Sequence, residues 1–296
     1  MQFQSNKILF PRNYREINEQ ILHGNDIIFI QNLCNGSKIT IYNIRTGKIR
    51  SITMKGLLCF NSHNANNNAV FEFCSNKRGI GILPIDTLKF KEIEDIGMND
   101  ILGGIWGNHI LIRRGYDIIL HDINTNEELE VASSHHIFGT PVVGEGNCSW
   151  LQLYSDKYFI VLYDIETGTN LIYNPAGYIN KMYLYKEYLV YQSCDKSKCC
   201  VCIYNIYNGS FKKCFESSNW IELYMGRDDV LVWTVRKKVE GKYIFDIWIY
   251  DIQDDKIKKV VADYENAVIP TVSERMILWV DANMNGDDLY LMSIDI

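Results

Sequence analysis

The stretch of this 296-residue chain with the clearest chemical spacing is "DANMNGD", Asp281 to Asp287. Its D-x-N-x-N-G pattern is that of a calcium loop, in which alternate side-chain oxygens converge on a hard cation while Gly permits the turn. Asp281, Asn283 and Asn285 would supply oxygens, with Asp287 or Asp288 completing the shell. The twelfth position, where such a loop places a bidentate Glu, is Met292, and two neutral Asn ligands attract a divalent ion weakly. Asn, Gly and Asp also build an ordinary hairpin turn. The expectation is a hairpin first, a weak calcium site at most, and no other cofactor.

A second concentration is "CDKSKCCVC", containing Cys194, Cys199, Cys200 and Cys202, with Cys214 further on. Zinc takes four thiolate or imidazole ligands in a tetrahedron, usually from C-x-x-C knuckles, and that form is absent. In a strand Cys200 and Cys202 share one face while Cys199 takes the other, so these thiols read as small buried hydrophobes. Cys194 and Cys199 flank the "DKSK" turn and would pair in an oxidising compartment. The N-terminus lacks the basic and apolar regions of a secretory signal. With an odd total of nine cysteines, reduced thiols, no disulfide framework and retention in the cytoplasm are expected.

His135 and His136, in "SSHHIFG", are of a type that titrates near neutrality, but adjacent residues point apart in extended chain, so a shared metal would need a special loop. Phe29, Phe71, Tyr191, Trp233 and Trp279 recur at one position of a repeated strand, which argues for packing rather than a stacking surface. His121 stands where Tyr42, Tyr163, Tyr204 and Tyr250 stand elsewhere, so it too reads as a packing residue. There is no G-x-S-x-G elbow, no H-E-x-x-H, no Walker loop and no dinucleotide fingerprint.

The elements that carry these residues follow from a repeat. "IYNIRTG", "ILPIDT", "LHDINTN", "LYDIETG", "IYNIYNG", "IYDIQDD" and "LMSIDI" place Asn43, Pro84, Asp122, Asp164, Asn205, Asp251 and Ser293 at equivalent positions, 38 to 46 residues apart. Each copy lies within four short alternating strands rich in β-branched and aromatic residues, without sustained 3.6-residue periodicity. Four strands per ~40-residue unit is the pattern of a propeller blade. The seventh unit supplies only three strands, and "SNKILFP" near the N-terminus has the pattern of the missing fourth. The fold expected is therefore all-β: a seven-bladed β-propeller in one domain spanning 1–296, closed by the N-terminal strand pairing with the last blade. Closure removes the open lateral edge.

The segment "RMILWVDANMNGDDLYLMSID" resembles the TolB-like, or WD40-like PD40, propeller repeat, and "VLVWTVRKKVEGKYIFDIWIYDI" is similar. The "SPDG" turn of that family is replaced here by "VSER", "MGRDD" and "YKEY". The resemblance implies a propeller and transfers no catalytic residue.

A formal net charge of -6 gives no basic surface for phosphates, which argues against nucleic acid and anionic membranes as partners. Hydrophobic residues make up 47% of the chain without a run long enough for a membrane helix, so a soluble monomer is expected. The function expected is a non-enzymatic scaffold that binds a protein or peptide through one face of the ring. Loops joining each outer strand to the next inner strand would line that face, and they carry Arg12, Tyr14, Asn99, His135, His136, Tyr178, Trp220 and Tyr264. The alternative is a hydrolase or lyase acting on a sugar or peptide at the channel mouth, built from His135, Arg12 and Glu265.

Overall fold

The structure is a computed structural model that describes residues 6–8, 17–65, 67–76, 78–93, 96, 100–227, 229–265, 267–273, 275–283 and 286–294. Its strands form seven antiparallel four-stranded sheets, with no α-helix among the described residues. Blade 1 is Ile17–His23, Asp26–Leu33, Gly36–Asn43 and Ile49–Lys55; blade 2 is Leu58–Ala65, Asn68–Cys74, Arg78–Pro84 and Lys91–Glu92. Blade 3 is Asp100–Trp106, His109–Arg114, Asp117–Asp122 and Glu128–Ser133; blade 4 is Ile137–Gly144, Asn147–Tyr154, Lys157–Asp164 and Asn170–Tyr173. Blade 5 is Tyr178–Tyr185, Tyr188–Cys194, Cys199–Asn205 and Phe211–Ser217; blade 6 is Trp220–Arg227, Val230–Val239, Lys242–Asp251 and Lys256–Tyr264. Blade 7 has Ala267–Ser273, Met276–Asn283 and Gly286–Ser293, and its outermost strand is Asn6–Ile8, paired to Leu289–Leu291. Innermost strands neighbour one another in blade order, and that of blade 7 neighbours that of blade 1, so the ring is closed.

The core is divided accordingly into seven apolar clusters, one at each blade–blade interface. Alternation along the second strands makes this possible. In blade 1, Ile27 and Phe29 pack on blade 7, while Ile28 and Ile30 pack on blade 2. The recurring aromatics Phe29, Phe71, Tyr191, Trp233 and Trp279 are at most 2% exposed, and each packs on the preceding blade. Trp150 fills the same position in blade 4, and Ile112 does so in blade 3. His121 is buried, as its place in the repeat predicts.

The sequence repeat proves to be a set of hydrogen bonds. After each third strand an isoleucine (Ile44, Ile85, Ile123, Ile165, Ile206, Ile252 and Ile294) donates its backbone N–H to a carbonyl in the turn between the first and second strands, at 2.7–2.9 Å. The residue before it is Asn or Asp in five blades, because its side-chain oxygen accepts backbone N–H groups two or three residues on and closes an Asx turn. Those donors hold the carboxyls of Asp122 and Asp164 below the usual range, led by the N–H of Thr125 and of Thr167.

Every innermost strand is bulged against its second strand, as the register shifts at Ile17/Glu19, Phe60/Ser62, Leu102/Gly104, Phe138/Val142, Ile179/Lys181, Tyr224/Arg227 and Val268/Thr271 show. A bulge bends its strand and re-aims side chains. Here seven bulges line the central channel. No helix among the described residues is long and apolar enough to cross a membrane.

Candidate functional site

Strand direction assigns the connections to two faces. Turns between first and second strands and between third and fourth strands share the lower face, where the isoleucine hydrogen bonds tie each pair together. Turns between second and third strands share the upper face with the connections from blade to blade. The lower face is thus locked blade by blade, and the upper face carries the connections from one blade to the next.

Every sequence-predicted binding residue falls on an upper-face segment or outside the described residues. His135 and His136 are exposed on the connection from blade 3 to blade 4. Tyr178, 58% exposed, opens blade 5, and Trp220, 41% exposed, opens blade 6. Tyr264 ends the outermost strand of blade 6 with its backbone opposite Phe245; its side chain lies outside what is described. Arg12, Tyr14 and Asn99 lie outside the described residues.

Around His135 and Tyr178 the structure gathers aromatics from three blades. The rings of Tyr116 and His135 meet edge to face at 4.4 Å. Phe138 and Tyr158 do so at 5.8 Å, and Tyr158 and Tyr178 at 5.9 Å. Tyr154 meets Phe159 at 5.6 Å. Edge-to-face pairing at these separations is favourable and fixes ring orientation. Tyr116, Phe138 and Tyr154 are exposed along with Tyr178, so solvent meets a surface of rings. Tyr158 and Tyr178 line a groove of about 460 Å³ together with Asp156, Lys157, Asn174, Pro175 and Gly177.

The local backbone explains this arrangement. Tyr154 and Lys157 are a register pair, joined by Ser155 and Asp156 at φ 46° and 65°. Two residues of positive φ make a tight hairpin turn whose twist suits the strands, although neither residue is glycine. Gly177 has φ +84°, and a Cβ there would lie 2.9 Å from the carbonyl oxygen of Cys194. Only glycine allows the connection to lie this close to the second strand of blade 5, which brings Tyr178 against Tyr158. Beneath the patch, Arg113 donates through Nη1 to the Gly139 carbonyl at 2.7 Å and joins blade 3 to blade 4.

Two further polar devices hold the upper half of the ring. Gln192, fully buried, donates through Nε2 to the Ile221 carbonyl at 2.8 Å and accepts the Leu223 N–H at 3.2 Å, clipping blade 5 to blade 6. Glu72 plays the equivalent part between blades 2 and 3, accepting the Leu102 N–H at 2.8 Å. The long hairpin of blade 6 is anchored by Asp246, 1% exposed, which pairs with Lys237 and with Lys259 at 2.9 Å and accepts the Asp263 N–H. Burial raises the Asp246 carboxyl, but hydrogen bonds from Lys237 and Lys259 outweigh it and hold the group below its usual range.

Against the expectation of reduced thiols, Cys194 and Cys199 form a disulfide; Cys34, Cys59, Cys74, Cys148, Cys200, Cys202 and Cys214 are outside any disulfide. The reason is register: the two are directly opposed across the hairpin with Cα atoms 4.1 Å apart. The acidic stretch near the C-terminus is a hairpin, with Asp281 opposite Asp288, Ala282 opposite Asp287 and Asn283 opposite Gly286. Asn285 and the side chains of Asp281, Asn283 and Asp287 lie outside what is described. Among the described residues no group of three or more His, Cys, Asp or Glu is placed to hold a metal. His135 and Glu265 sit on blade-to-blade connections three blades apart, and Glu265 is engaged by Lys242 at 3.2 Å.

These features define a seven-bladed β-propeller. No family model matches the chain, and no curated protein does. Solved structures do. An oligogalacturonate lyase in complex with manganese matches over 100% of this chain and 97% of its own, with TM-score 0.71 and 11% identity. The β-propeller domain of the Trilobed protease from Pyrococcus furiosus matches over 95% and 93%, with TM-score 0.66 and 13% identity. That domain is described as an open velcro; here Asn6–Ile8 fastens the ring. TolB from Acinetobacter baumannii matches over 89% and 78%, with TM-score 0.50 and 13% identity. Likeness at these identities is likeness of fold.

Proposed function

We propose that this propeller is a binding module that docks a partner polypeptide on its upper face across blades 3, 4 and 5. The observation that carries this reading is the set of exposed rings on that face, Tyr116, Phe138, Tyr154 and Tyr178, beside a groove lined by Tyr158 and Tyr178. Exposed contiguous apolar surface marks interaction sites, and rigid aromatics are the usual anchors of protein interfaces. A polypeptide suits the patch better than nucleic acid: the chain has a formal net charge of -6, and polyphosphate would be repelled. A peptide laid along the groove would place an apolar side chain against the paired rings of Tyr158 and Tyr178 and its amides against Asn174 and Lys157.

The enzymatic reading needs titratable groups that converge, and His135 and Glu265 stand three blades apart. The binding reading is tested by affinity capture with quantitative mass spectrometry, comparing wild type with the Tyr158→Ala/Tyr178→Ala double variant. Each tyrosine acting as an anchor is worth about 2 kcal/mol. Partners should drop out selectively from the variant while its melting temperature holds. Retention of every partner by a folded variant would place the binding face elsewhere.

A further inference from the structure

Two adjacent arginines in blade 3 have opposite surroundings. Arg114 is paired: Nε donates to Asp100 at 3.1 Å, and Nη1 and Nη2 donate to Glu128 at 2.8 and 3.0 Å. Those carboxylates, Glu128 first, make its guanidinium hold its proton more tightly than usual. Neighbours along a strand take opposite faces, so Arg113 lies on the other side with Leu111, towards blade 4, and meets no carboxylate there. Its bond is the Nη1 donation to the Gly139 carbonyl at 2.7 Å. Nε is enclosed without a partner, while Nη2, which is not enclosed, donates to nothing among the described residues. Burial lowers the Arg113 guanidinium, and no acidic neighbour offsets it.

A guanidinium cannot shed its charge in a protein. Half-buried against a neutral carbonyl, it has lost part of its hydration without gaining a counter-ion, which is costly. An anion seated on Nη2 recovers that cost through a charge-assisted bond. Arg113 also stands among the exposed rings of the upper face. Tyr116 follows three residues on and meets His135 on the blade 3 side. Phe138, the residue before Gly139, lies on the blade 4 side, where it meets Tyr158 and through it Tyr178.

We infer that Arg113 seats a glutamate side chain of the polypeptide docked across blades 3, 4 and 5, so that the partner carries an acidic residue within an apolar stretch. This rests on the docking reading given above and names the chemistry of its occupant. Arg113 lies beneath exposed rings, so a carboxylate must reach down to it, and rings on both sides keep the bound chain running past. An internal side chain meets both conditions. Glutamate reaches one methylene further than aspartate, and a C-terminal carboxylate would leave one flank of rings bare. The formal net charge of -6 does not oppose this pairing: scattered surface charges are screened over about 8 Å, whereas a partly buried pair is screened much less.

The test uses pools of acetylated, amidated heptapeptides with uncharged residues at every position but the centre, which is glutamate in one pool and glutamine in the second. A third pool has central glutamine and a free C-terminal carboxylate. Each pool is captured on the immobilised protein and quantified by mass spectrometry. The glutamate pool should be retained about tenfold better than the glutamine pool. Arg113→Gln should abolish that preference, while its amide can still donate to the Gly139 carbonyl. If the variant does not fold, the comparison of pools on wild type decides the matter alone. Equal retention of the glutamate and glutamine pools, or a preference that survives in folded Arg113→Gln, would overturn the inference. Best retention of the third pool would overturn it too and make a C-terminus the occupant. The Tyr158→Ala/Tyr178→Ala variant separates this inference from the docking reading. Pools lost from that variant, with no glutamate preference on wild type, would leave the docking face standing and remove the seat. A glutamate preference that needs Arg113 but not the tyrosines would keep the seat and remove the groove. Retention of no pool at all would overturn both.

Discussion

Replacing Gln192 by methionine isolates the clip between blades 5 and 6. The two side chains have similar length and volume, so packing is nearly conserved, while both hydrogen bonds to the innermost strand of blade 6 are lost. Ile221 and Leu223 are fully buried, so their carbonyl and N–H cannot turn to water. Each group left unsatisfied costs about 1–3 kcal/mol, giving about 2–6 kcal/mol for the pair. Unfolding entropy of about 2.1 cal/mol/K per residue amounts to roughly 0.6 kcal/mol/K for a chain of this length. The expected fall in melting temperature is therefore about 3–10 °C. Calorimetry and urea unfolding would measure it, with the exposed turn variant Gln253→Met as control. A change of less than about 1 °C would mean that the two backbone groups find other partners and that the blades are not joined there as described.

Three other outcomes are expected. The depressed carboxyl of Asp246 contributes stability that is present above the unfolded value of about 4 and lost as pH falls through the folded one. The melting difference between wild type and Asp246→Asn should accordingly be full at neutral pH and shrink towards pH 2; a pH-independent difference would contradict the ion pairs with Lys237 and Lys259. Reduction, or Cys194→Ser, should lower stability by about 2 kcal/mol, the chain entropy of so short a loop. Identical melts with and without reductant would mean that the bond is not formed. Deleting Met1 to Pro11 removes the outermost strand of blade 7 and should lower the melting temperature, and unchanged melting would refute closure by that strand.

The architecture was legible because the isoleucine repeat is a local feature with a local cause. Seven copies of one turn, each preceded by an alternating strand, count the blades directly, and the three-strand seventh unit points to Asn6–Ile8. The packing aromatics were legible for the same reason, although Trp150 escaped because the strand around it, "NCSWLQLY", resembles its counterparts weakly. The site was legible only in part. Connection residues such as His135 and Tyr178 follow from the order of strands. Tyr116, Tyr158 and Tyr178 belong to blades 3, 4 and 5, and nothing local to any of them announces that they share one face. Channel-facing positions such as His63 were hidden by the bulges: one-residue slips in six of the seven innermost strands break the two-residue alternation by which such positions would be read. The disulfide was visible as a pair flanking a turn, but compartment reasoning pointed away from it, and register decides that geometry.

The fastening of blade 7 also orders events in time. Six blades are continuous in sequence, and each can pair its strands as soon as it leaves the ribosome, since chains are made from the N-terminus at a pace that permits domain-scale folding. The seventh cannot. Asn6–Ile8 emerges first and waits for Leu289–Leu291, and the faces of Leu22, Ile27 and Phe29 wait equally long for Leu278, Val280 and Leu289. Until synthesis reaches those residues, the nascent protein is a six-bladed arc with apolar surface at both ends. That interval is when it is most exposed to aggregation, and when a chaperone would have most to cover.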